Sequence, residues 1–131
     1  MSASVLIIED EDNIASTLRQ LLNLRFIVEV DVARSVKEAE VFLEAQKYDL
    51  VIFDNFLPDG IGLEMINRMA DQLQWIYDCK LIFLSGVLYV DKTQEFLKGV
   101  KKFSHLHVRN KPVSAEALYE LVGNSLPHKP A

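Results

Sequence analysis

Short apolar segments alternate with amphipathic segments along the whole chain. The apolar segments have the length and composition of strands, and they lie at residues 5–8, 26–32, 49–53, 80–84 and 105–110. The segments between and after them carry apolar residues at helical spacing, which predicts helices at residues 13–24, 35–47, 63–76, 90–103 and 114–125. Ser35 and Ser114 are suited to cap the helices that follow them. This alternation predicts an α/β protein with one parallel sheet and helices on both faces.

The composition of the strands predicts their order in the sheet. The first, third and fourth strands are apolar throughout, as expected for central strands that helices cover on both faces. The second and fifth strands alternate apolar and polar residues, which is typical of edges. Together these features predict a doubly wound, five-stranded sheet in the order 2-1-3-4-5.

Length and composition indicate a single globular domain. The 131 residues are expected to form one domain, with a core at residues 4–125 and a tail or the start of a linker at residues 126–131. Apolar residues make up 50% and charged residues 25%, which excludes a disordered chain. The longest apolar runs have four or five residues and the N-terminus has no basic start. We therefore expect no membrane span, no signal peptide and a cytoplasmic location.

The net charge of −5 is distributed unevenly. Residues 1–60 carry 12 acidic and five basic residues, whereas residues 61–131 carry seven acidic and nine basic residues. A surface that binds nucleic acid is expected to be basic, so the pattern argues against direct nucleic-acid binding by this domain. Most acids are interpreted as solvated surface, but four consecutive acids at residues 9–12 directly follow the first strand.

Polar and ionisable side chains follow four of the predicted strands. They are Glu9 and Asp10, then Asp54, Ser85 and Lys111. Ligands of such a sheet bind at the carboxyl ends of its strands, where these side chains converge. Three carboxylates in one place repel one another, so either some stay protonated or a cation joins them, and hard oxygen donors suit Mg²⁺. A carboxylate there is also able to attack phosphorus, with a lysine and a metal neutralising the phosphoryl oxygens.

Four segments in this order resemble the receiver domain of two-component response regulators. In chain order they read VLIIEDE at 5–11, DLVIFDNFLPDG at 49–60, LIFLSG at 81–86 and KP at 111–112. The resemblance covers residues 4–125 and implies the flavodoxin-like form of the doubly wound fold. It also implies a signalling switch, not an enzyme in the metabolic sense, that takes a phosphoryl group from a histidine kinase or phosphotransfer protein.

The resemblance implies a phosphoacceptor and its metal ligands. Asp54 stands at the position of the acceptor, and Glu9 and Asp10 match the acidic pair that helps it to hold Mg²⁺. The backbone carbonyl of Phe56, two residues after the acceptor, is implied as a further ligand of the metal.

The resemblance also implies which residues contact the phosphoryl group. Ser85 and Lys111 stand where the family has a hydroxyl and a lysine, and an alternative interpretation makes Ser85 only the cap of the fourth helix. A cis peptide bond is expected between Lys111 and Pro112. Val108 departs from the family pattern, because many receivers carry an aromatic residue three positions before the lysine. The route by which the signal leaves the site is therefore expected to be atypical.

Two surfaces lead to further hypotheses. Phe56 and Val87 are apolar where polar side chains would orient an attacking water, which predicts a long-lived phosphorylated form. The face from the fourth helix to the fifth strand carries five basic residues, which are Lys92, Lys98, Lys101, Lys102 and Arg109. This basic face is interpreted either as ordinary solvated surface or as a docking face for an acidic partner or a homodimer mate.

Two other functions remain open. One is a degenerate receiver that binds a partner without being phosphorylated, although the full set of site residues argues against it. The other is a small phosphohydrolase with an aspartate nucleophile. Such enzymes often need a second carboxylate two residues later, where this chain has Phe56.

Overall fold

A computed structural model of the chain describes residues 1–86 and 102–130. Its helices and strands are β1 (Ala3–Ile8), α1 (Asp12–Arg25), β2 (Val28–Ala33), α2 (Val36–Ala45), β3 (Leu50–Asp54), β4 (Phe56–Leu57), β5 (Gly60–Ile61), α3 (Gly62–Gln72), a 3₁₀ turn (Gln74–Tyr77), β6 (Lys80–Ser85), β7 (His105–Asn110) and α4 (Ala115–Val122). Most of the helix predicted at 90–103 lies outside the described residues, as do Val87, Lys92, Lys98 and Lys101.

Five strands form a parallel sheet in the order β2-β1-β3-β6-β7. Because β4 and β5 form a separate antiparallel hairpin, this order is the predicted 2-1-3-4-5 and the predicted fold class is confirmed. The central strands β1, β3 and β6 are almost fully buried, whereas β2 and β7 are half-exposed. Composition therefore identified the edges correctly.

The sheet separates two hydrophobic cores. Helices α1 and α4 cover one face through buried side chains that include Leu18, Leu22, Leu118 and Val122. Helices α2 and α3 cover the other face, where the rings of Phe53 and Phe83 stack 5.1 Å apart on neighbouring strands. A shift in strand register would move these side chains to the wrong face, so the two cores hold the strand ends in place.

The predicted helix caps are present. The Ser35 hydroxyl accepts a hydrogen bond from the Glu38 N–H at 3.1 Å, at the start of α2. The Ser114 hydroxyl accepts one from the Ala117 N–H at 3.0 Å, at the start of α4. Each cap satisfies one of the N–H groups that a helix leaves without an internal partner.

The third predicted helix, at 63–76, was wrong in its C-terminal part. Helix α3 ends at Gln72 because Leu73 leaves the helical conformation, with φ −118° and ψ 86°. The chain continues as a 3₁₀ turn that buries Ile76 and leaves Gln74 exposed. Helices α2 and α4 also end two to three residues earlier than predicted, and Gly123, whose φ is 54°, directly follows the last residue of α4.

Residues 126–130 lie along the connection between α1 and β2. The Ile27 N–H donates to the Pro127 carbonyl at 2.8 Å, and the Lys129 N–H donates to the Arg25 carbonyl at 2.7 Å. Leu126 is buried. Within the described part of the chain, no helix is long and apolar enough to cross a membrane.

Candidate functional site

Buried polar side chains collect at one end of the sheet. Apart from Tyr48 and Cys79, the described residues bury four polar side chains, which are Glu9, Asp54, Asn55 and Ser85, each at most 8% exposed. All four lie at or directly after the carboxyl ends of β1, β3 and β6. Burying a polar group costs free energy unless it is paired, so their collection at one edge is typical of a functional site.

The structure brings the predicted carboxylates and lysine together. Oxygens of Glu9, Asp10 and Asp54 all lie within 4.8 Å of one another, and Asp10 alone is exposed. The Lys111 ammonium lies 2.5 Å from Glu9 Oε1 and 3.2 Å from Asp54 Oδ2. These contacts are possible because the strands are parallel and adjacent, so that residues following β1, β3 and β7 share one edge.

Burial and pairing act in opposite directions on these charges. Burial raises the pKa of Glu9, while hydrogen bonds from Lys111 and from the Glu11 N–H offset part of that effect. Partial burial disfavours the Lys111 ammonium, but its bond to Glu9 and the charges of Glu9 and Asp54 outweigh it and raise the pKa of Lys111. The lysine is therefore held in its charged form.

The donor set fits a divalent cation with hard oxygen preference. Three carboxylates and one ammonium leave two formal negative charges in the cluster, and a divalent cation would balance both. All candidate side-chain ligands are carboxylate oxygens, and the exposure of Asp10 leaves a route for metal-bound waters. Mg²⁺ favours few carboxylates and several waters, so Glu9, Asp10 and Asp54 suit it.

Ser85 ends β6, which lies beside β3 in the sheet. It is one residue beyond Leu84, which pairs with Asp54 in the sheet, and its carbonyl accepts a hydrogen bond from the Lys111 N–H at 2.9 Å. The Lys111–Pro112 peptide bond is cis, as expected. Val108 is half-buried and packs against the core on the α2 and α3 side.

The loop after Asp54 is held by contacts that sequence reasoning missed. The Asn55 N–H donates to Asp54 Oδ1 at 2.8 Å, and the Asn55 side-chain oxygen accepts from the Leu63 N–H at 3.3 Å. A Cβ on Gly62 would lie 2.0 Å from the Asp54 carbonyl oxygen, so only glycine fits there. The one available signal was a glycine directly before the third apolar helix pattern.

The structure leaves Phe56 and the described part of the basic face exposed. Phe56 begins β4, and its side chain is 48% exposed. Of the basic face, Lys102 and Arg109 are described and are exposed.

Comparison with known proteins places the chain among receivers. The family model for the response regulator receiver domain matches residues 5–122. Over 121 residues the chain is 39% identical to the response regulator protein PilR of Pseudomonas aeruginosa, covering 92% of this chain and 25% of PilR. It is 30% identical over 122 residues to the autoinducer 2 sensor kinase/phosphatase LuxQ of Vibrio parahaemolyticus, covering 91% of this chain and 13% of LuxQ. The chain thus spans only a minor part of these relatives.

Solved structures agree on the fold. A signal receiver domain of an HD domain-containing protein from Pseudomonas fluorescens superposes with a TM-score of 0.79 at 21% identity, covering 95% of this chain and 94% of that one. The beryllofluoride-activated NtrC4 receiver domain dimer superposes with a TM-score of 0.77 at 25% identity, covering 94% and 95%. The chain belongs to the response regulator receiver domain family of two-component systems.

Proposed function

We propose that this receiver accepts a phosphoryl group on Asp54, with Mg²⁺ held by Glu9, Asp10, Asp54 and the Phe56 carbonyl. The observation that carries the proposal is the Lys111 ammonium, which lies within 3.2 Å of both Glu9 and Asp54 inside an acidic cluster. A cationic side chain and three convergent carboxylates are the groups that phosphoryl transfer to a carboxylate requires.

The proposed reaction moves a phosphoryl group from nitrogen or acyl oxygen to Asp54. A carboxylate oxygen of Asp54 bonds to phosphorus while the P–N bond of a phosphohistidine breaks. The electrons of that bond pass to the imidazole nitrogen, which takes a proton from solvent. With acetyl phosphate as donor, a P–O bond breaks and acetate leaves. The product in both cases is an acyl phosphate on Asp54.

The side chains around Asp54 have separate tasks in this proposal. Lys111 holds a positive charge beside Asp54 and so reduces the repulsion between the carboxylate and an anionic donor. Mg²⁺, when bound, supplies further neutralisation of the phosphoryl oxygens. Ser85 donates a hydrogen bond to the bound phosphoryl group, and its displacement toward that group starts the proposed switch.

The proposed phosphoryl donor is a histidine kinase or a phosphotransfer protein. The names of LuxQ, a sensor kinase/phosphatase, and of PilR, a response regulator, support this signalling context. We further propose a cytoplasmic location and a switched homodimer through the basic face. That an activated NtrC4 receiver is described as a dimer supports the homodimer.

Acetyl phosphate with Mg²⁺, followed by intact mass spectrometry, tests the proposal. We expect the protein to gain one phosphoryl mass and Asp54→Ala to gain none. Asp49→Ala is a matched control, because Asp49 directly precedes the same strand at the opposite end of the sheet. That variant should still be phosphorylated.

The same experiment separates the other two functions. A phosphohydrolase would consume acetyl phosphate in many turnovers without a lasting gain in mass. A phosphorylation-independent binding module would neither gain mass nor consume the donor. Either result would overturn the proposal.

A further inference from the structure

The hairpin that follows Asp54 is too small to hold its own position. Strands β4 and β5 have two residues each and pair only Phe56 with Ile61 and Leu57 with Gly60. A two-stranded hairpin is marginally stable in water even when it is longer. The position of Phe56 must therefore depend on contacts outside the hairpin.

The turn of this hairpin is tied to a different helix through Asp59. Asp59 Oδ1 accepts a hydrogen bond from the Val36 N–H at 2.7 Å, and Oδ2 accepts one from the Lys37 N–H at 3.0 Å. Both N–H groups belong to the first turn of α2, where a helix has no internal partner for them. The Ser35 hydroxyl accepts a hydrogen bond from the next N–H, that of Glu38. Ser35 and Asp59 together therefore cap the first turn of α2.

The charge of Asp59 suits this contact. The hydrogen bonds from the Val36 and Lys37 N–H groups lower the pKa of Asp59. Together they outweigh desolvation, which acts to raise it. A carboxylate at a helix N-terminus is also stabilised by the helix dipole. The contact thus joins an ionised side chain to two aligned N–H donors, which makes it stronger than a neutral hydrogen bond.

The hairpin contacts a neighbouring helix at each of its ends. At the turn, a Cβ on Gly60 would lie 3.1 Å from Val36 Cγ2, so the backbone approaches α2 closely. At the other end, the Gly62 N–H donates to the Asn55 carbonyl at 2.6 Å and joins the hairpin to α3. The connection to α3 is made by this backbone bond and by the Asn55 side-chain oxygen, which accepts from the Leu63 N–H at 3.3 Å, whereas the polar connection to α2 is made by the Asp59 side chain.

We infer that Asp59 is a positioning residue for the phosphoryl-acceptor site, because it ties the β4–β5 hairpin to α2 and so fixes Phe56. This inference rests on the proposed function, in which the Phe56 carbonyl is a ligand of Mg²⁺. It assigns a role to the α2 terminus that the site residues themselves do not reveal.

Mg²⁺ affinity and amide hydrogen exchange test the inference. We expect Asp59→Ala to weaken Mg²⁺ binding, measured by calorimetry, by roughly tenfold, as is typical for residues that orient metal ligands. The amides of the β4–β5 hairpin should exchange faster in that variant. Asp59→Asn retains one acceptor oxygen and should give an intermediate affinity.

Ser35→Ala is the matched control. It removes a cap from the same helix terminus but no contact to the hairpin, so it should lower thermal stability and leave both readouts unchanged. Wild-type values for Asp59→Ala, or equal effects of Ser35→Ala, would overturn the inference. If Asp59→Ala does not fold, Asp59→Asn decides in the same way.

The hydrogen-exchange measurement needs no Mg²⁺, and it therefore separates the inference from the proposed function. A protein that gains no phosphoryl mass disproves the proposed function. A protein that is phosphorylated, but whose hairpin exchanges equally in the Asp59 and Ser35 variants, disproves only the inference.

Discussion

The two ends of the sheet treat buried ionisable groups in opposite ways. At the end where β3 and β6 begin, the Tyr48 hydroxyl donates to Asp31 and the Cys79 thiol donates to the Tyr48 carbonyl. Burial raises the pKa of Cys79 to about 12 and also raises that of Tyr48, so both stay neutral. At the carboxyl end, Lys111 is held charged between Glu9 and Asp54.

This difference indicates that the amino end of the sheet contributes to stability, whereas the carboxyl end is suited to chemistry. A neutral group with a hydrogen bond is buried at little cost, whereas a buried charge is costly unless it is paired. The amino end of the sheet buries neutral groups with hydrogen bonds, and this adds to stability. The carboxyl end collects three carboxylates around one ammonium, an excess of two formal negative charges that costs stability and that the proposed cation would balance.

The largest expected effect is on stability and belongs to the amino end. Phe26 is fully buried, and its ring lies edge-on to those of Tyr119, at 5.9 Å, and His128, at 4.9 Å. We expect Phe26→Ala to lower the free energy of unfolding by about 3–5 kcal/mol in urea titration, because it leaves a cavity. Phe26→Leu should lose far less. A slower phosphorylation rate in the folded Leu variant would contradict the separation of the two ends.

The next largest effect is on chemistry and belongs to the carboxyl end. Replacing Lys111 by Ala removes the cation beside Asp54, and we expect phosphorylation by acetyl phosphate to slow by about 100- to 1,000-fold. Lys129→Ala is the control, since Lys129 uses only its backbone N–H at the opposite end. Mass spectrometry at successive times gives both rates. A wild-type rate for Lys111→Ala would remove the main support for the proposed function.

Sequence reasoning succeeded where a single periodic rule determines the outcome. The apolar strands at 5–8 and 49–53 had to be central because both their faces are apolar, and parallel strands bring their carboxyl ends to one edge. The juxtaposition of Glu9, Asp54 and Lys111 follows from that edge alone.

Sequence reasoning failed where tertiary contacts override local preference. Helix α3 ends before Leu73, and the 3₁₀ turn that follows buries Ile76. The spacing of apolar residues in the sequence does not reveal this break. The sequence predicts no capping role for Asp59, because its partners Val36 and Lys37 lie more than 20 positions away. Side chains that cap a distant helix leave no local pattern.

A smaller effect concerns the lifetime of the phosphorylated form. Phe56 is an exposed apolar residue two positions after Asp54, and we expect its ring to hinder an attacking water. We expect Phe56→Asn to accelerate loss of the phosphoryl group by about tenfold, since an amide is able to orient water. Val41→Asn is a control at an exposed apolar position on α2. If the Asn variant loses its phosphoryl group no faster than wild type, Phe56 does not protect it.

The smallest effect tests the neutral groups at the amino end through their pH dependence. A Cys79 thiol ionises near 9.0 in the unfolded chain, and burial raises its pKa to about 12 in the fold. Between these values the unfolded chain releases its proton first, so the free energy of unfolding falls as pH rises. We expect wild type to lose about 1 kcal/mol more than Cys79→Ala between about pH 7 and about pH 10. Urea titrations measure both losses, and Tyr48 contributes equally to each. Equal losses would mean that the thiol is not held neutral by burial.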